Sequence, residues 1–188
     1  MALADAAWQG KIPATIELVV CDVPDVSVLQ RAAAAGLKGI HLPPGPSRAR
    51  LDEAAELQLL RLLRDHQITL VCLAGFMRIL GPRVLAAYPQ AILNIHPSLL
   101  PSFPGRDAVR QALEYGVKVT GATVHFCCAE VDAGPVIVQG AVAVESDEDL
   151  ESLSRKIHAV EHELYPHAAS LFCRGQLRME GRVVRILA

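Results

Sequence analysis

Ile68-Thr69-Leu70-Val71-Cys72-Leu73-Ala74 leads into Gly75-Phe76-Met77-Arg78-Ile79-Leu80-Gly81-Pro82. A short helical stretch then precedes Ala91-Ile92-Leu93-Asn94-Ile95-His96-Pro97-Ser98-Leu99-Leu100-Pro101. The first run is almost wholly apolar, the pattern of a strand buried on both faces of a parallel sheet. The second is apolar up to Leu93 and then carries an Asn and a His two residues apart. Alternate residues of a strand share a face, so Asn94 and His96 project together while Ile95 points the other way into a core. Both runs end in loops. In open α/β sheets, ligands bind at the carboxyl ends of strands near a switch point.

Working outward, the same alternation continues on both sides. Upstream, Met1–Gly10 reads as a short helix and Ile16–Cys21 as a strand. Val26–Ala35 is a helix stopped by Gly36, and Gly39–Leu42 is a short strand. Pro43-Pro44-Gly45-Pro46 forms a turn, and Ser47 can cap the helix Leu51–His66, whose Leu57, Leu60 and Leu63 recur at helical spacing. Downstream come a helix Pro82–Tyr88, the strand Ile92–His96, and a helix Arg106–Tyr115 stopped by Gly116. Strands Thr120–Cys127 and Val136–Val144 flank a turn at Asp132-Ala133-Gly134-Pro135. A long helix Asp149–Cys173 follows, then a hairpin Gln176–Leu187 turning at Glu180-Gly181. The β-α-β-α order predicts an α/β, Rossmann-like fold with a mostly parallel central sheet flanked by helices. At 188 residues, with no repeat, linker or low-complexity segment, a single domain is expected over residues 1–188.

Composition narrows the function. Hydrophobic residues make up 52% of the chain and charged residues 20%, which is globular. A net charge of −2 and an aromatic content of 4% speak against electrostatic or base-stacking nucleic-acid binding. No apolar stretch is long enough to cross a membrane, and no signal peptide is expected. The five cysteines include no CxxC pair and sit largely in apolar runs, which fits a reducing cytoplasm. His and Cys never combine at ligand spacing, so no metal is expected.

Three segments carry candidate chemistry. Asn94 can donate to an oxygen that gains negative charge, and His96 can move a proton. Taken alone, such a strand end is satisfied by loop backbone. Asp132 stands at a turn from which a carboxylate can reach a neighbouring strand's His, and a carboxylate beside His96 favours its protonated form. Alone, Asp before Ala-Gly is a turn residue. The Gly75–Leu80 loop can offer backbone hydrogen bonds to a flat heterocycle while Met77, Ile79 and Leu80 contact its faces.

Leu73-Ala74-Gly75-Phe76-Met77-Arg78-Ile79-Leu80, Leu93-Asn94-Ile95-His96-Pro97-Ser98-Leu99-Leu100-Pro101-Ser102-Phe103 and Val131-Asp132-Ala133-Gly134-Pro135-Val136-Ile137 together closely resemble the phosphoribosylglycinamide formyltransferase family. The likeness runs from about Ala2 to the C-terminus. The resemblance implies a folate-dependent transferase of purine biosynthesis. It would move the formyl group of 10-formyltetrahydrofolate, as co-substrate, to the amine of glycinamide ribonucleotide. It implies Asn94, His96 and Asp132 as the catalytic group, with His125 as a supporting histidine. Arg48, Met77, Arg78, Ile79, Leu80, Asn94, Cys128, Ala129, Glu130, Val131 and Asp132 would bind the folate. His158, Ala159, Val160 and Glu161 would bind glycinamide ribonucleotide, with Glu161 near its amine. The partners implied are small molecules, without nucleic acid or membrane, and a homodimer is left open.

The chain departs from the family at its start. The family begins with an apolar strand and a Gly-x-Gly-Ser-Asn phosphate loop at a helix N-terminus. Here the sequence starts inside the first helix, so an N-terminal truncation is expected, with an unpaired slot between Ile16–Cys21 and Ile68–Ala74. Val20-Cys21-Asp22-Val23-Pro24 also stands where a Ser-Asn turn is usual. Two alternatives remain at this stage: formyltetrahydrofolate hydrolase, which usually carries a second His where this chain has Pro97, and an inactive folate-binding remnant. Methionyl-tRNA formyltransferase has a related core with an additional C-terminal domain.

Overall fold

The structure is a computed structural model that describes residues 1–24 and 26–187. Its elements alternate in the predicted order: α1 (Ala2–Trp8), β1 (Val19–Cys21), α2 (Ser27–Ala34), β2 (Gly39–His41), α3 (Glu53–Asp65), β3 (Val71–Leu73) and α4 (Pro82–Ala87). They continue with β4 (Ile92–His96), α5 (Ala108–Tyr115), β5 (Val119–Phe126), β6 (Val136–Ala143), α6 (Leu150–Cys173), β7 (Leu177–Glu180) and β8 (Val183–Ile186). The chain divides into two compact units. One comprises Met1–Ala14, Cys72–Gly75 and the chain from Ile92 onward; the other comprises Thr15–Val71 and Phe76–Ala91.

In the second unit β1 and β2 pair in parallel, Val20 opposite Ile40. Both are shorter than their apolar runs suggest. α3 buries Ala55, Glu56, Leu59, Leu60 and Leu63, a single stripe at helical spacing. Its cap is Asp52, whose side chain accepts from the Ala55 N–H at 2.8 Å. Ser47, the cap suggested by sequence, instead accepts from the Ala49 and Arg50 amides at 3.2 Å each, a local turn. The helix begins later because Asp52 both caps it and stands in an extended conformation. Glu56 is an acidic residue yet buried. Its Oε1 accepts from the Val84 amide in the first turn of α4, where negative charge is favoured.

In the first unit the sheet order is β3-β4-β5-β6. β4–β5 and β5–β6 run antiparallel, whereas the β1–β2 pair of the other unit is parallel. β3 is an edge strand and only half-buried, although its sequence reads as buried on both faces. α6 opens with a capping box between Asp149 and Ser152. It lays Leu153 and Ile157, both with 0% exposure, against Ala122 and Val142. Each such side chain contributes roughly 1.5–3 kcal/mol by leaving water. From the same helix the buried Tyr165 hydroxyl reaches the carbonyls of Leu73 and Leu93 at 2.8 and 2.9 Å, tying β3 to β4 directly before Asn94. The C-terminal β7–β8 hairpin forms as expected, with Gly181 at φ 63° in its turn.

Candidate active site

β4 delivers Asn94 and His96 to one face, and its antiparallel pairing with β5 sets His125 opposite Asn94 and Thr123 opposite His96. Cross-strand partners on one face lie close enough for side chains to touch. The ladder to β6 shifts register between Val124 and His125, an irregularity of the kind that re-aims side chains beside active sites. Ile95, expected in the core, is half-buried.

The turn after β5 completes the group. Asp132 sits at φ 53°, in the left-handed region. Gly134 behind it packs directly on β5: a Cβ there would stand 1.7 Å from the Phe126 carbonyl oxygen. That close approach aims the Asp132 carboxylate at the end of β4. Oδ2 accepts from the Gly105 amide at 2.8 Å and lies 3.3 Å from His96 Nδ1. Oδ1 lies 3.5 Å from Asn94 Nδ2 and 3.7 Å from His125 Nε2.

Hydrogen-bond partners assign the protons. His125 Nδ1 donates to the Phe126 carbonyl at 3.0 Å, which leaves Nε2 to accept from Asn94 Nδ2 at 3.2 Å. Burial lowers the His125 titration below the ordinary histidine value. The Phe126 carbonyl and Asp132 oppose that shift in smaller measure. His125 is therefore a neutral ring that orients the Asn94 amide. His96 differs. Its Nε2 donates to the Phe103 carbonyl at 2.8 Å and its Nδ1 faces Asp132. With an acceptor at each nitrogen, only a ring carrying both hydrogens satisfies both contacts.

Four residues singled out in the sequence thus converge: Asn94, His96, His125 and Asp132. Cys128, Ala129, Glu130 and Val131 are exposed on the loop that ends in Asp132, with the Cys128 thiol donating to the Glu130 carbonyl at 3.3 Å. On α6, His158 and Ala159 are exposed, whereas Val160 packs against Gly140 of β6. Glu161 lies 3.9 Å from His158, and burial pushes its carboxyl above the usual range. In the second unit Arg48 and Met77 are exposed and Leu80 is buried. Ile79 donates its amide to the Ala49 carbonyl. Arg78 is engaged by Asp22 at 2.5 Å and by the Ser47 carbonyl, a tie within that unit.

Sequence reasoning missed the backbone contributions of Phe103 and Gly105, and the buried polar frame behind them. Thr123 Oγ1 donates to the Ser98 carbonyl at 2.7 Å and accepts from the Leu100 amide and Gln139 Nε2. Gln139 also donates to the Leu100 carbonyl. The Pro97, Pro101 and Pro104 spacing was the available signal that this loop is held stiffly.

A constellation of a donor amide, an imidazole hydrogen-bonded at both nitrogens and a carboxylate is equipped for acyl-type group transfer. The formyl transferase family model matches residues 1–169. The phosphoribosylglycinamide formyltransferase of Bacillus subtilis is 43% identical over 156 residues, covering 81% of this chain and 77% of that protein. The trifunctional purine biosynthetic protein adenosine-3 of Drosophila melanogaster is 41% identical over 177 residues, covering 93% of this chain and 13% of that protein. The crystal structure of glycinamide ribonucleotide transformylase 1 from Symbiobacterium toebii superposes with a TM-score of 0.94 at 48% identity, over 100% of this chain and 87% of that one. The chain belongs to the formyl transferase family, and its α/β fold with a mainly parallel sheet flanked by helices is that of these relatives.

Proposed function

We propose that this protein transfers the formyl group of 10-formyltetrahydrofolate to the primary amine of glycinamide ribonucleotide, the step of purine biosynthesis named for its relatives. The observation that carries the reading is the Asp132–His96 pair, with Asn94 beside it at the end of β4.

In the proposed mechanism the amine nitrogen attacks the formyl carbon, and the carbonyl electron pair moves onto oxygen. Asn94 Nδ2–H, whose contact to Asp132 is long, turns to that oxygen, and the positive charge of the protonated His96 ring, its two N–H groups still held by Phe103 and Asp132, stabilises it. Asp132 keeps His96 charged and, directly or through water, takes the proton that the amine loses. Collapse breaks the bond to the folate nitrogen, which receives that proton. One proton has then passed from amine to folate, and no covalent bond to the protein has formed. His125 holds the Asn94 amide in register.

The residues proposed to bind the folate are Arg48, Met77, Arg78, Ile79, Leu80, Asn94 and Cys128 to Asp132. The ribonucleotide is met by His158, Ala159, Val160 and Glu161. Glu161, with its raised carboxyl, is suited to an amine that must be neutral to attack. Val160 serves by fixing the helix rather than by polar contact. The family match runs through both compact units, which supports reading 1–188 as one functional domain. Five free cysteines support a reducing cytoplasm. The test is a discontinuous assay with both substrates. Formylated ribonucleotide in step with tetrahydrofolate supports transfer. Formate without formylated product makes the protein a hydrolase, and folate binding without turnover makes it a binding remnant.

A further inference from the structure

We propose that Tyr115, at the exposed end of α5, is a positioning residue for His96 and acts through Phe103; this rests on the formyl-transfer reading above. Phe103 performs two tasks at once. Its carbonyl takes the His96 Nε2–H at 2.8 Å, and its ring meets the Tyr115 ring edge-on, centroids 5.8 Å apart at 64°. The backbone of Phe103 stands at φ 53°, a conformation that a bulky residue keeps only when its surroundings impose it.

The Tyr115 ring is one of those surroundings. α5 is itself anchored, with Ala108 and Ala112 fully buried and Gly116 closing its C-terminus at φ 80°. Tyr115 is 79% exposed, so it has little packing role of its own. The two rings line a groove of about 350 Å³ with Leu99, Val117 and Val119. Cutting Tyr115 back therefore removes one of the contacts that hold the Phe103 backbone at its positive φ, and relaxation of that backbone turns the carbonyl away from His96 Nε2. Two residues on, the Gly105 amide donates to Asp132, so the same segment grips both members of the His96–Asp132 pair.

The experiment compares Tyr115→Ala, Tyr115→Phe and the parent chain. Tyr115→Ala is expected to lower kcat about tenfold, the size of one lost aromatic contact, with KM for either substrate little changed. Tyr115→Phe keeps the ring and retains parent kcat. The thermal midpoint of Tyr115→Ala falls by no more than a few degrees, because the side chain is exposed and the helix propensity of Ala offsets part of the lost ring contact, and that of Tyr115→Phe matches the parent. Independently of turnover, ¹H–¹⁵N spectra of the His96 ring show an Nε2–H protected from solvent exchange in the parent and in Tyr115→Phe, and a rapidly exchanging one in Tyr115→Ala. If Tyr115→Ala keeps both the parent protection and the parent kcat, the proposal is overturned. If the parent chain transfers no formyl group, the functional reading fails while the exchange comparison still decides the role of Tyr115.

Discussion

His96 Nδ1 and Asp132 Oδ2 lie 3.3 Å apart, with side chains only 6% and 10% exposed, although 36 positions of sequence separate them. The pair exists because the β5–β6 connection turns back over the end of β4.

His96→Ala and Asp132→Asn are each expected to lower turnover by about 100- to 10,000-fold, the range for losing a positioned acid–base group. Folate affinity, measured by fluorescence titration, stays within a few-fold, since the folate pocket is proposed to draw mostly on other residues. Full activity in His96→Ala would remove the proposed mechanism.

His125 makes stability depend on pH. In the unfolded chain it titrates near its ordinary value of 6.5, and burial lowers that in the fold. Between those two values the unfolded state binds more protons, so the stabilising contribution is complete above 6.5 and is lost as pH falls toward the folded value. The drop in unfolding free energy between pH 7.5 and 5.5, read from urea titrations, should be smaller in His125→Gln than in the parent. Equal drops would show that the ring titrates alike in both states.

The order of elements was legible because apolar runs, helix stops and turn residues agreed along the chain. Gly36, Gly116 and Gly181 all adopt the positive φ that their stop and turn positions suggested. Strand lengths were less legible. Ile16–Cys21 and Ile68–Ala74 read as six and seven residues but form strands of three each, β1 and β3 both lying at sheet edges. Apolarity marks burial, whereas a strand is as long as its partner's ladder. At the site, Asn94 with His96 followed from the two-residue period alone. Asp132 was visible only as a turn acid, because its reach depends on the tertiary approach of Gly134 to β5. Phe103 and Gly105 act through main-chain atoms, which every residue carries, so no side-chain pattern announces them.

The cysteines should separate sharply by reactivity. Cys128 is exposed, whereas burial pushes the Cys72 and Cys127 thiols up to about 12. At pH 8 only about one part in ten thousand of a thiol with such a value is the reactive thiolate. Brief iodoacetamide treatment followed by peptide mass spectrometry is expected to find Cys128 alkylated and Cys72 and Cys127 intact. Equal labelling of the three would contradict their placement.

Gly134→Ala tests the geometry on which the Asp132 turn depends. The added methyl would meet the Phe126 carbonyl oxygen at 1.7 Å and His125 Nδ1 at 3.4 Å. The first neighbour is sheet backbone and cannot move aside, because the adjacent Phe126 amide is itself bonded to the Pro135 carbonyl. The turn must therefore lift from β5, at a cost of about 1–3 kcal/mol or more for a forced overpacking. Asp132 moves with it, so turnover should fall further than the loss of stability explains, at temperatures where the variant is still fully folded. Urea denaturation and kcat measured together check this. A variant as stable and as active as the parent would mean that the turn does not press on the strand and that Asp132 is aimed by something else.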